Sequence, residues 1–266
     1  MTAAASALPP VSPTAAAPAP VAIVIPALNE SGTIRAVAQA ALQQCPHLIV
    51  VDDGSSDDTA DKLAGLPLTL IRHARCLGKG EALRSGFKAA LALGVAGVGT
   101  MDGDGQQGAD DIPLLLTAAA AHPGQIIIGA RLIGRDDQPR GRRRANNVAD
   151  WFISWACGQR ILDSQSGQRY YPREAMALAG PARQGFVFET GLLIRAADRG
   201  IGTVAVPIRA RYHQGLRGSH FRPLLDGTRI TLHITASLLS RGLAPWRAWR
   251  AWRRPAVIHE AGNPPP

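Results

Sequence analysis

From residue 21 onward, short apolar runs rich in β-branched residues alternate with longer stretches whose apolar positions recur at i, i+3 and i+4. The short runs, 21–26, 48–51, 68–71, 95–101 and 125–129, predict buried strands; the longer ones, 33–42, 57–63, 80–93 and 110–121, predict helices. Ser31, Asp57 and Asp110 stand where helix N-terminal caps or first-turn carboxylates belong. Alternation of strand and helix implies right-handed crossovers and a mostly parallel sheet, hence an α/β fold. After residue 131 the pattern changes to an Arg/Gly loop and an apolar helix over 146–157. Shorter mixed elements follow over 160–212, with a helix around 189–199 and a strand at 203–208 whose Pro207 suits a sheet edge.

In an open sheet of this kind, ligands bind beyond the carboxyl ends of the strands. The residues found there are Pro26-Ala27-Leu28-Asn29-Glu30, Asp52-Asp53-Gly54-Ser55, Asp102-Gly103-Asp104-Gly105-Gln106 and Gly129-Ala130-Arg131. Three of these ends are acidic or polar and the fourth delivers an arginine, a composition suited to a cation and phosphates. Asp102 and Asp104, one residue apart, can converge on one Mg²⁺ or Mn²⁺, with Gln106 adding a hard oxygen and Gly103 permitting close approach. The bland alternative is a solvated turn. Residues 103–108 also match G-x-G-x-x-G, but a dinucleotide pyrophosphate would then lie against Asp104 without a cation, which is electrostatically unfavourable. Gly78-Lys79-Gly80 fails as a P-loop, because no Ser or Thr follows the lysine and the upstream glycine is missing.

Composition narrows the picture. The chain has 266 residues, 46% of them hydrophobic and 18% charged, which fits one α/β domain with additions and excludes a disordered chain. Its net charge of +9 is lopsided: residues 1–150 sum to −1 and residues 151–266 to +10. The basic half calls for an acidic partner such as substrate phosphates, an anionic membrane surface or nucleic acid. Cys45, Cys76 and Cys157 show neither disulfide-scaffold nor zinc-site spacing. Residues 1–20 read as a disordered Ala/Pro tail rather than a signal peptide, giving an expectation of a cytoplasmic location. At helical spacing, Trp246, Trp249 and Trp252 share one face with arginines beside them, an interfacial signature; docking of these tryptophans on the protein body is the alternative.

Several ordered motifs together carry a resemblance. Residues 24–30, 50–59 and 101–106, with Gly129-Ala130-Arg131, residues 163–169 and residues 185–189, resemble family 2 glycosyltransferases of GT-A fold, in the dolichyl-phosphate mannose synthase-like or polyprenyl-phosphate branch. The resemblance spans about residues 21–225. It implies that Pro26, Asn29, Glu30, Asp52 and Asp53 hold the base and ribose of a GDP- or UDP-linked sugar, and that Asp102, Gly103, Asp104 and Gln106 form the metal and diphosphate site. Arg131 and residues 140–144, Arg144 foremost, match phosphate-contacting positions, and Asp163 matches an acidic residue near the acceptor. Arg222, in a Gly-rich basic loop, is expected to meet a phosphate. Gln168 replaces an aromatic of the family pattern, and His220-Phe221-Arg222 stands where relatives often carry Ser-Lys; both departures bear on the acceptor rather than the donor.

The expected organisation is a tail over 1–20, a GT-A domain over 21–225, amphipathic membrane-associated helices over 226–256 and a disordered tail over 257–266. The expected activity is inverting, metal-dependent transfer of a sugar to a polyprenyl phosphate by a peripheral protein at the cytoplasmic membrane face. Transfer to a hydroxyl of another lipid or glycan is the alternative, with Asp163 then removing the proton. From another class, the chain could be a basic nucleic-acid-binding protein or a non-catalytic membrane adaptor. Nucleic acid is not the expected partner, because basic and aromatic residues coincide only near the C-terminus while the strand ends are acidic.

Overall fold

Every residue of the first strand, β1 (Val21–Ala27), is buried except Val21, which is partly so. Ala22 and Val24 pack in one apolar cluster while Ile23 and Ile25 pack in another, so both faces of the strand are covered, as its unbroken apolar run demands. The structure, a computed structural model, describes residues 20–134, 140–180, 187–209, 235, 238–240 and 242–260. The further strands are β2 (Leu48–Asp52), β3 (Thr69–Arg72), β4 (Gly97–Thr100), β5 (Ile126–Ile133), β6 (Arg169–Pro172) and β7 (Thr203–Arg209). They form one sheet in the order β3-β2-β1-β4-β6-β5-β7. The helices are α1 (Ile34–Gln44), α2 (Lys79–Ala92), α3 (Ile112–Ala121), α4 (Arg140–Cys157), α5 (Arg173–Ala177), α6 (Val187–Asp198) and α7 (Pro245–Arg253). Residues of α2, α4 and α6 cover one face of the sheet; α1 and α3 supply apolar residues to the two other clusters.

Pairing is parallel except around β6, which runs antiparallel to both β4 and β5. Because β6 is reversed, the residues entering it lie where its neighbours end: Arg169 pairs with Thr100 and Ile128, and Gly129 N donates to Gln168 O at 2.9 Å. Residues 163–168 are therefore delivered to the same edge as the loops after β1, β2, β4 and β5.

Several elements differ from those the pattern predicts. The helix expected over 57–63 is only a 3₁₀ turn at Asp61–Leu63. The Asp57 side chain takes the N–H groups of Thr59 and Ser31 instead, and such local bonds compete with helix formation. The strand at 68–71 is not buried: β3 is an edge strand and Leu70 is 40% exposed. The Arg/Gly stretch is partly helical, since α4 starts at Arg140 rather than 146; arginine is a good helix former. Pro207 does sit on an edge strand, β7, whose outer side receives residues 257–259. There Ala205 N donates to Val257 O and His259 N to Ala205 O, both at 2.8 Å, so residues expected to begin a disordered tail pair with the sheet.

Candidate active site

The loops after β1 and β2 are bonded to each other. Asn29 N donates to Ser55 Oγ at 2.9 Å, Ser56 N to Asn29 Oδ1 at 2.9 Å, and Glu30 N to Thr59 Oγ1 at 2.8 Å. Pro26 and Ala27 pair with Val51 and Asp52, so the five residues expected at the nucleotide lie together. Gly54 permits this turn: its φ is +74° and a Cβ there would stand 2.4 Å from the Arg75 carbonyl carbon. Asp52 is fully buried; Oδ1 accepts from Ser55 N at 2.9 Å, and Arg72 Nε lies 3.1 Å from Oδ2 without an aligned hydrogen bond. Asp53 is turned the other way, accepting from Leu77 N at 3.0 Å and Gly78 N at 2.7 Å, with His73 Nδ1 at 2.7 Å. It fixes the segment that leads into α2.

The turn after β4 lies next to this cluster, tied to α1 by Thr33 Oγ1 donating to Gly103 O at 2.7 Å. Asp102 Oδ2 accepts from Gln107 Nε2 at 2.7 Å, and Lys79 Nζ stands 2.7 Å from its Oδ1. Asp104 Oδ1 accepts from Gln106 N at 2.9 Å. Burial, and then the neighbouring charge of Asp102, push the Asp104 carboxyl above its usual range. Two hard carboxylates one residue apart, partly withdrawn from water and repelling each other, fit a divalent cation, which would neutralise both. Among the described residues no group of three His, Cys, Asp or Glu side chains converges on a metal site, so the remaining ligands would be amide, water or substrate oxygens.

The third part of the site is brought in by β6. Gly167 touches Asp102: a Cβ at this glycine would fall 2.5 Å from Asp102 Oδ2. A few residues earlier, Asp163 holds Arg131 at both ends, Oδ2 accepting from Arg131 N at 2.9 Å and Nε at 2.7 Å, and Oδ1 from Nη2 at 2.6 Å. Burial alone would raise the Asp163 carboxyl, but the Arg131 guanidinium outweighs it and holds the group below its ordinary value. Asp150 on α4 supports the same loop, accepting from Ser164 N at 2.8 Å, Ser164 Oγ at 2.6 Å and Asp163 N at 3.0 Å. Beneath it the buried Arg169 donates to Ser166 O at 2.7 Å and Ser164 O at 2.6 Å.

Arg144 makes none of the contacts described above. It is exposed on α4 and stands about 120° round the helix from Asp150. Arg222 lies outside the described residues. Sequence reasoning missed Lys79, Gln107 and Asp150. Lys79 carries a visible signal, a lysine between two glycines opening a helix after a strand, although the stretch does not fit a P-loop. Its charge is held up by Asp102 and Glu189 against the opposing effect of burial.

The family model for glycosyl transferase family 2 matches residues 22–188. Polyprenol monophosphomannose synthase of Mycolicibacterium smegmatis is 30% identical over 200 residues, covering 70% of this chain and 75% of that protein. Undecaprenyl-phosphate mannosyltransferase of Micrococcus luteus is 28% identical over 203 residues, covering 70% and 81%. Among solved structures, glucosyl-3-phosphoglycerate synthase from Mycobacterium tuberculosis, in complex with Mn²⁺, UDP and phosphoglyceric acid, superposes with a TM-score of 0.62 at 25% identity. That match covers 92% of this chain and 81% of the other.

Proposed function

The chain belongs to glycosyl transferase family 2, a glycosyltransferase of GT-A fold, and we propose that it moves a sugar from a nucleoside diphosphate to a polyprenyl phosphate with inversion at the sugar C1. The relatives named for polyprenol and undecaprenyl phosphate support this acceptor class. A lipid acceptor places the reaction at a membrane face. No helix among the described residues is long and apolar enough to cross a membrane.

The observation that carries the choice of acceptor is the Arg131–Asp163 pair. A base for a hydroxyl acceptor needs a proton affinity near the working pH. Asp163 has both oxygens on Arg131 and a proton affinity below the ordinary carboxylate, so it serves to position the guanidinium. A phosphate acceptor is already ionised and needs a cationic guide instead of a base, which Arg131 supplies. In the reaction, an acceptor phosphate oxygen forms a bond to C1 as the bond from C1 to the diphosphate breaks, and the electron pair leaves with the nucleoside diphosphate. No proton has to move.

On the donor side, the buried Asp52 Oδ2, which has no aligned donor among the described residues, is an acceptor suited to an N–H of the base. Asp102, Asp104 and the Gln106 amide would hold Mg²⁺ or Mn²⁺, which when bound offsets the charge developing on the departing diphosphate. Lys79 adds a fixed positive charge on the same edge. The test is to incubate radiolabelled GDP- and UDP-sugars with the protein, Mn²⁺ and undecaprenyl phosphate and to count label in the organic phase. Label there supports the proposal; label only on a hydroxylated, water-soluble acceptor contradicts it.

A further inference from the structure

Helix α7 has two faces of opposite character. Ala248 and Ala251, 5% and 0% exposed, are buried, and Arg247 anchors the helix by donating to Ala156 O and to Asp198 Oδ1, both at 2.8 Å. Pointing away are Trp246, Trp249 and Trp252, which are 55%, 59% and 49% exposed, with Arg250, Arg253 and Arg254 exposed among them. Ala248 and Ala251 seat the helix on the protein body, and of the three tryptophans Trp252 also touches it, through Trp151 of α4.

The exposed face continues onto α4. Trp151 stacks on Trp252 with ring centroids 5.2 Å apart, and Val148 beside it is exposed. Arg144, Val148, Trp151 and Trp155 fall at i, i+4, i+7 and i+11, one stripe of that helix. The turn before α7 adds exposed Leu243, whose carbonyl accepts from Trp155 Nε1 at 2.8 Å. Residues 245–254 contain arginines and no carboxylate, so the apolar rings are framed by one sign of charge.

We propose that this two-helix surface docks the protein on an anionic lipid bilayer. Tryptophan rings belong at the boundary between headgroups and acyl chains, and arginines beside them pair with lipid phosphates. A second copy of the chain is disfavoured, because a two-fold contact would bring cationic face onto cationic face. A nucleic acid would need open ring faces for stacking, and Arg250 and Arg253 already lie over Trp246 and Trp249, 5.5 Å and 5.1 Å from the ring centroids.

For its purpose the surface rests on the polyprenyl-phosphate reading. α4 links the two: Trp151 is on its outer stripe, while the adjacent Asp150 holds the N–H groups of Asp163 and Ser164. The helix that would lie on lipid is thus the one that braces the acceptor loop.

The test uses the whole chain without donor or acceptor, mixed with phosphatidylcholine vesicles with and without phosphatidylglycerol and sedimented. The wild-type protein should bind the anionic vesicles with a blue-shifted tryptophan emission. Trp246→Ser with Trp249→Ser, and separately Arg250→Gln with Arg253→Gln, should weaken binding about tenfold or more. Both double variants should keep the wild-type rate of donor hydrolysis in detergent, showing that the fold is intact. Equal vesicle binding by the tryptophan variant would overturn the proposal. So would a wild-type dimer that these substitutions dissolve, or tighter binding of an oligonucleotide lost in the same variants. If vesicles bind as expected but no nucleotide sugar turns over, the surface stands and the catalytic reading falls.

Discussion

Lys79 Nζ lies 2.7 Å from Asp102 Oδ1, with Glu189 Oε2 at 3.7 Å on its other side. The lysine opens α2 and the aspartate ends the run after β4, so two loops from different strands meet on one ion pair. On the proposed reaction, a fixed cation here would act on the charge that grows on the leaving diphosphate, in the way that electrostatic groups placed in advance do. Lys79→Met is therefore expected to lower sugar transfer by about 10²-fold at saturating Mn²⁺. Steady-state kinetics with varied donor would check this, and an unchanged kcat/KM would remove Lys79 from the site.

Gly167 lets the loop before β6 lie directly on Asp102. In Gly167→Ala the new methyl group would sit 2.5 Å from Asp102 Oδ2, so loop or carboxylate has to move. The expected cost is roughly 1–3 kcal/mol of stability, read as a fall in thermal midpoint, with a larger proportional loss of transfer. A variant with wild-type midpoint and rate would show that the two segments are not in contact.

The Arg131–Asp163 pair gives a pH dependence with a definite sign. A carboxyl whose folded-state proton affinity is depressed adds stability above its ordinary value, and loses it as the pH falls through the folded-state value. The difference in thermal midpoint between wild type and Asp163→Asn should be full at neutral pH and shrink only below about pH 4. If the difference instead disappears as the pH rises toward 7, Asp163 is held protonated and the guanidinium does not control it.

Much of this was legible in the sequence because the signals are local. The apolar runs of β1 and β2 indicate the sheet, and acidic residues soon after β1, β2 and β4 mark the candidate site. The reversed strand β6 was not legible, because strand and helix alternation implies parallel pairing and only register shows that residues 163–168 arrive from the opposite direction. For the same reason the motif marks Asp163 only as an acidic residue near the acceptor, a base if that acceptor is a hydroxyl, and does not show its bidentate hold on Arg131. The ion pairing of Lys79 is hidden by distance along the chain, since Asp102 and Glu189 belong to other elements. In α7 the Trp/Arg rhythm was plain, whereas Ala248 and Ala251, the residues that dock it, carried too little pattern to be noticed.

Asp150 is expected to act through the acceptor loop. Asp150→Ala removes the acceptor for three donors of residues 163 and 164, so KM for polyprenyl phosphate should rise more than KM for the nucleotide sugar. Equal changes in both would mean a general loss of structure, which a matched drop in thermal midpoint would register.

In the proposed reaction Asp104, paired with Asp102 at the strand end, supports departure of a nucleoside diphosphate as the sugar passes to a lipid phosphate. The most direct test of this role is Mn²⁺-dependent transfer of labelled sugar from a nucleotide donor to undecaprenyl phosphate by wild type and by Asp104→Asn at matched folding. The expected result is metal-dependent label in the lipid with wild type and a loss of about 10³-fold or more in the variant. Transfer by the variant at the wild-type rate, or transfer by wild type that chelation leaves untouched, would contradict it.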